Sequence, residues 1–165
     1  MKTAIYPGSF DPITKGHLNI IERAAKIFDV VVVCVMVNSD KKNPLFSLDE
    51  RLQLINKVIG DLPNVRVETF SGLLAEYAKR HEPAVIVKGL RAVSDFETEF
   101  QMALINRKVN PNLDTFFLTA SEQYTYLSSS VVKELARYGA DLSSLLPEQI
   151  IGDVLEKMRN RGKAE

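Results

Sequence analysis

The sequence predicts an α/β fold, a doubly wound parallel sheet of five strands flanked by helices. Two observations carry that reading. Short apolar runs alternate with amphipathic stretches along the whole chain. Two of those runs, Val30 to Val37 and Ala84 to Val87, are almost wholly β-branched or apolar, the composition of strands covered on both faces. Strands alternating with helices imply right-handed crossovers between parallel neighbours.

In chain order, Thr3 to Tyr6 is the first strand. Leu18, Ile21, Ala25 and Phe28 stripe the first helix, with Asn19, Glu22, Arg23 and Lys26 facing away. Val30 to Val37 is the second strand. Ser47-Leu48-Asp49-Glu50 has capping-box spacing and opens a helix striped by Leu48, Leu52, Ile55 and Ile59, which ends at Gly60. Val65 to Phe70 is the third strand, Leu73 to Arg80 a short helix, and Ala84 to Val87 the fourth strand. Phe96, Phe100, Ala103 and Leu104 stripe a helix from about Asp95 to Val109, before the fifth strand, Thr115 to Leu118. Val131, Leu135 and Tyr138 stripe the next helix. Ile151, Val154, Leu155 and Met158 stripe the last, at about residues 147–161. No repeat, linker or low-complexity segment interrupts this order, so residues 1–165 are expected to form one domain with a Rossmann-like sheet.

Composition narrows the function. The 21 basic residues cancel the 21 acidic ones, so the chain lacks the basic field of a general nucleic-acid binder. The basic tail after Lys157 reads as a solvated helix end, nucleic-acid binding being the minor alternative. The only cysteine, Cys34, lies inside the second strand and reads as a core thiol. The longest apolar run is shorter than a membrane span, and the N-terminus has no signal-like apolar region, so a cytoplasmic location is expected.

Sheets of this kind bind ligands outside the carboxyl ends of their strands, so the loops there are where chemistry is expected. After the first strand, Pro7-Gly8-Ser9-Phe10-Asp11-Pro12-Ile13-Thr14-Lys15-Gly16-His17 makes a sharp turn into a helix. Ser9 supplies a hydroxyl, and His17 falls in the first helical turn, where it either packs and caps or donates to a phosphate oxygen. No G-x-G-x-x-G or P-loop pattern follows any strand. After the second strand, Lys41 and Lys42 either hold a phosphate or form a solvated pair. Lys88-Gly89-Leu90-Arg91 brackets a glycine with two cations. Tyr124-Thr125-Tyr126-Leu127-Ser128-Ser129-Ser130 opens a helix with more hydroxyls than capping needs. Asp95 reads as a complement to its helix dipole, and His81 as a surface residue in a polar turn. With no structural-zinc spacing and no Ser-His-Asp or Cys-His set, these groups suit phosphoryl or nucleotidyl transfer, which depends on positioning and charge neutralisation. Transfer to a different acceptor, such as a mononucleotide or an alcohol phosphate, and a nucleotide sensor without turnover are the alternatives.

The segments Pro7 to Thr14, Gly16-His17, Gly89-Leu90-Arg91-Ala92-Val93-Ser94-Asp95-Phe96-Glu97, Glu99 and Leu127 to Glu134 resemble bacterial phosphopantetheine adenylyltransferases over nearly the whole chain. The resemblance implies reversible AMP transfer from ATP, accompanied by magnesium, to 4′-phosphopantetheine. The products are dephospho-coenzyme A and pyrophosphate, in the penultimate step of coenzyme A synthesis. It implies catalytic roles for His17 and Lys41. Ser9, Lys41, Leu74 and Lys88 would bind the acceptor. Ser9, Phe10, His17, Gly89, Leu90, Arg91, Glu99, Tyr124, Thr125, Tyr126, Leu127, Ser128, Ser129 and Ser130 would bind ATP. No protein metal ligand is implied. The implied assembly is a homohexamer, with coenzyme A as a candidate feedback ligand. Two departures stand out: Lys88 replaces the family's usual Arg, and the loop around Lys41 varies enough in length that Lys42 could take its role.

Overall fold

The computed structural model describes residues 1–37 and 43–162. Strands β1 (Thr3–Gly8), β2 (Val30–Met36), β3 (Val65–Phe70), β4 (Ala84–Leu90) and β5 (Asp114–Thr119) alternate with helices α1 (Lys15–Ala25), α2 (Leu48–Ile59), α3 (Leu74–Lys79) and α4 (Val93–Val109). A single 3-10 turn at Glu122–Tyr124, α5 (Ser129–Arg137) and α6 (Glu148–Gly162) complete the chain. All strand pairs are parallel, in the order β3-β2-β1-β4-β5. This is the five-stranded doubly wound α/β sheet that the alternation predicts.

The register explains where a ligand can enter. β1 pairs with β2 from Thr3↔Val30 to Gly8↔Val35, but with β4 only from Thr3↔Ala84 to Ile5↔Ile86. β4 continues along β5 as far as Leu90↔Thr119. The two central strands therefore part beyond Ile5 and Ile86, opening a crevice at the topological switch point. The first and fourth strands outrun their sequence expectation for the same reason. Pro7-Gly8 reads as a turn and Lys88-Gly89 as the segment just beyond the fourth strand, yet each stays paired on its remaining side. Pro7 lacks an N–H and fits where β1 has become a local edge.

Alternating side chains fill both faces. Ala4, Tyr6, Val31, Val33 and Val35 join a core beneath α1, α2, α5 and α6, while Ile5, Val32 and Cys34 point to the other face, towards α3. Burial pushes the Cys34 thiol up to about 11, in keeping with an inert core residue. The Ser47–Glu50 capping box forms as expected.

α1 packs as its spacing predicts: Ile21 and Phe28 are buried, Leu18 and Ala25 pack half-buried against the same core, and Ile20 and Ala24 join them. Three expectations need correction. α5 buries Val132 and Ala136, with Leu135 half-buried against the core and Tyr138 exposed, so packing turns this helix by one position from the stripe that spacing suggests. On α4 the stripe Phe96, Phe100, Leu104 is exposed, Leu104 at 54%. His81 is not on the surface. Its side chain is 13% exposed, with Nε2 at 3.3 Å from the Glu68 carboxylate, which also accepts from the Tyr77 hydroxyl.

Candidate active site

The crevice between the parted strands continues into a cleft of about 590 Å³. Of the residues picked out from the sequence, Ser9, Phe10, His17, Lys88, Gly89, Arg91, Glu99, Tyr124, Leu127, Ser128, Ser129 and Ser130 all line it. Leu74 lines a smaller cavity of about 110 Å³ that shares Lys88 and Glu99 with the main cleft. Leu90, Thr125 and Tyr126 do not line the cleft. Leu90 offers its carbonyl to Ala120, and the Thr125 hydroxyl donates to the Glu122 carbonyl. Lys41 and Lys42 lie outside the described residues.

His17 is half-buried at the start of α1, and its ring is held by the backbone. Thr14 caps the helix: its hydroxyl accepts from the His17 N–H at 3.3 Å, and its own N–H donates to His17 Nδ1 at 3.0 Å. A nitrogen that accepts a backbone N–H carries no proton, so the neutral ring has its hydrogen on Nε2. Burial, with help from the Arg91 charge, lowers the His17 pKa to about 4. At neutral pH the side chain is therefore an uncharged donor of fixed tautomer. It cannot act as an imidazolium acid.

The loop before α1 is under strain. Phe10 sits at φ 48° and is only 2% exposed, its ring edge-on to Tyr6 at 5.5 Å and to His17 at 5.0 Å. A left-handed backbone costs a bulky residue about 1–2 kcal/mol, so the surroundings must impose it. Buried Arg51 donates to the Ser9 carbonyl at 2.9 Å from one side. On the other side the Asp11 carboxylate accepts from the backbone N–H groups of Leu45 at 2.9 Å and Phe46 at 2.8 Å. Gly8 is needed for a different reason. A Cβ there would lie 2.9 Å from Phe10 Cζ, too close for any real contact.

Three cations face the cleft, each beside an acid. Lys88 pairs with Glu99 at 3.1 Å, Arg91 with Asp95 at 3.2 Å, and Lys133 with Asp11 at 3.3 Å. Arg91 also donates to the Leu127 carbonyl at 3.0 Å, which ties the end of β4 to the turn before α5. Asp95 thus orients Arg91 as well as meeting its helix dipole. Of the serine run, Ser128 caps α5 through the Val131 N–H, and the Ser129 hydroxyl donates to the Pro12 carbonyl. Two of the three hydroxyls therefore have structural work, while the helix N-terminus still faces the cleft. Burial pushes the Tyr6 phenol up, so this wall of the cleft is a neutral hydroxyl.

Residues 5–135 match the cytidylyltransferase-like family. Over 161 residues the chain is 54% identical to a phosphopantetheine adenylyltransferase of Clostridium tetani, covering 98% of this chain and 100% of that protein. This chain is a member of the phosphopantetheine adenylyltransferase family. A Clostridium kluyveri phosphopantetheine adenylyltransferase is 56% identical over 157 residues, 95% of each chain. A solved structure from Vibrio parahaemolyticus, named as a nicotinate-nucleotide adenylyltransferase, superposes with a TM-score of 0.69 at 20% identity. It covers 98% of this chain and 93% of its own, and at that identity it speaks for the fold alone.

In this adenylyltransferase-family chain, sequence reasoning passed over Tyr6, Asp11, Arg51 and Lys133. Asp11 and Lys133 stood inside matched motifs, but nothing local marks them as partners 122 residues apart. Among the described residues, no helix is long and apolar enough to cross a membrane.

Proposed function

We propose that this cleft transfers the adenylyl group of ATP to the phosphate of 4′-phosphopantetheine, reversibly, giving dephospho-coenzyme A and pyrophosphate. The observation that carries the reading is His17, a neutral donor of fixed tautomer lining a strand-end cleft that three cations face. An oxygen of the acceptor phosphate attacks the α-phosphorus of ATP. The bond to the bridging oxygen breaks, and pyrophosphate leaves with the electron pair. The ionised acceptor has no proton to surrender, so the step needs no general base. His17 Nε2–H donates to the α-phosphoryl oxygens as charge builds on them, and Arg91 and the start of α5 face the leaving phosphates.

In the same reading Lys88 and Lys41 hold the acceptor phosphate and Leu74 lines the pantetheine arm. Ser9, Phe10, Gly89, Leu90, Glu99 and the stretch from Tyr124 to Ser130 surround ATP. Lys88 meets its phosphate as a point charge where an arginine would offer a fork.

Magnesium enters as part of the nucleotide substrate. The cleft carboxylates are already engaged, Asp11 by two N–H groups and Lys133, Glu99 by Lys88. Among the described residues no three His, Cys, Asp or Glu side chains group as metal ligands do. That donor set does not fit a resident ion.

The deciding experiment is pyrophosphate release from ATP and magnesium with and without 4′-phosphopantetheine. Release should depend on the acceptor and yield dephospho-coenzyme A. A folded, ATP-binding protein that released none would remove this reading in favour of a different acceptor or a sensor. The exposed stripe of Phe96, Phe100 and Leu104 on α4 is the surface we assign to contacts between copies of the chain in a homohexamer. Sedimentation should give the mass of a hexamer; a single-chain mass would exclude that assembly.

A further inference from the structure

We propose that Glu68 is a positioning residue for the acceptor arm: it holds the Tyr77 hydroxyl, and through Tyr77 it fixes the helix whose first residue, Leu74, walls the smaller cavity. The assignment rests on the reading that this cavity takes the pantetheine arm, and adds to it two residues that line neither the cavity nor the cleft.

The need for such an anchor follows from α3 itself. It has six residues, far short of the roughly 12–15 at which an isolated helix holds in water. Its N-cap, Leu73, makes no side-chain cap bond, and the chain enters it through exposed residues and Gly72 at φ 109°. The approach from upstream therefore does little to fix Leu74. The face that α3 buries consists of Ala75, Tyr77 and Ala78. Two alanines bring little area, so Tyr77 carries most of the packing. Its ring lies 4.7 Å from that of Phe70 and 4.6 Å from that of His81, between centroids. Leu74 stands one turn before it on the same side of the helix.

Glu68 holds the far end of that ring. It stands on the edge strand β3 opposite Cys34, on the face that looks towards α3. Its Oε2 accepts from the Tyr77 hydroxyl, and His81 Nε2 lies 3.3 Å from the same carboxylate oxygen. Its Oε1 accepts the Arg66 Nε–H at 2.7 Å. Burial and the bond to Glu68 push the Tyr77 phenol up, so it stays a donor. The core beside it is apolar, with Ile5, Val32, Cys34 and Ile86. An aliphatic side chain would serve that packing, and a carboxylate is costly there unless donors hold it. The bonds it makes are therefore the reason for the charge. The other side-chain tie to α3 is weaker: Asn110 Nδ2 reaches the Ala75 carbonyl only at 3.5 Å, and also contacts Glu82 at 3.3 Å.

Tyr77→Phe removes the hydroxyl and keeps the ring, Glu68→Ala removes the acceptor, and Glu68→Gln keeps an oxygen that can accept. Steady-state kinetics on the full chain should show KM for 4′-phosphopantetheine rising about five- to tenfold in the first two, on the scale of a lost hydrogen bond to a charged group. KM for ATP and kcat should stay within about twofold. Glu68→Gln should recover most of the acceptor affinity. Tyr77→Phe combined with Glu68→Ala should be no worse than either alone, because both remove the same bond. Should Glu68→Ala not fold, Tyr77→Phe carries the same expectation. An unchanged KM for the acceptor overturns the assignment. Equal rises in both KM values overturn it too, since they would show a general loosening of the fold. Acceptor use by the unsubstituted protein keeps the two readings apart. Turnover of 4′-phosphopantetheine together with an unchanged KM in Tyr77→Phe removes the role of Glu68 and Tyr77 alone, whereas no turnover removes the adenylyl-transfer reading and this assignment with it.

Discussion

Replacing His17 by alanine should lower kcat by about two to three orders of magnitude, the loss expected when one donor to a developing oxyanion is removed. KM for ATP should change much less, because the contact strengthens as charge accumulates on the α-phosphoryl oxygens. The capping box loses one member, so melting should fall by no more than a few degrees. A folded variant with kcat within threefold of the parent would sink the assigned role.

The held tautomer adds a pH signature to this prediction. With Nδ1 accepting the Thr14 N–H and the pKa lowered to about 4, the ring stays neutral across the neutral range. The kcat profile should therefore show no inflection from His17 near pH 6.5, the ordinary histidine value. Loss of rate from this group should begin only as pH falls towards about 4, when protonation of Nδ1 breaks the bond to Thr14. Stability follows the same sign. The unfolded ring takes up a proton below about 6.5 while the folded ring refuses it until about 4. The contribution is complete above pH 6.5 and is lost as pH falls through that window. NMR of the ring nitrogens at neutral pH reads the tautomer directly, and a protonated Nδ1 would contradict it.

How much of this was legible beforehand depends on distance along the chain. The parallel sheet follows from runs such as Val30 to Val37, whose composition admits water on neither face. The His17 turn follows from contiguous residues. The face of α5 was harder, because Val131 and Val132 are adjacent and equally apolar, and only packing decides which of them is buried. The ends of β1 and β4 misled for a related reason: turn-like residues persist in strands that have lost one neighbour. His81 looked solvated in a turn of charged residues, and Glu68 and Tyr77, which enclose it, lie on other elements. Asp11, Arg51 and Lys133 were out of reach because their partners are 34 to 122 residues away.

Asp11 is where that long-range wiring should matter most for stability. Asp11→Ala removes the acceptor from two buried backbone N–H groups, those of Leu45 and Phe46, and leaves Lys133 without its counter-charge. Each unsatisfied buried donor costs about 1–3 kcal/mol, and here there are two of them. For a chain of this length the expected fall in melting temperature is on the order of 10 °C. Asp11→Asn keeps one acceptor but turns an N–H₂ towards the second donor, so it should recover only part of the loss. Activity should fall further than the folded fraction does. Asp11 follows Ser9 and the strained Phe10 on one side, and its N–H partners follow the segment bearing Lys41 on the other. Releasing the carboxylate frees both walls of the cleft together, and a misplacement of about 1 Å at reacting atoms can cost a hundredfold in rate. Melting curves beside kcat at a temperature where the variant remains folded separate the two effects. A loss in melting temperature below about 3 °C would show that Asp11 is not the clamp its geometry describes.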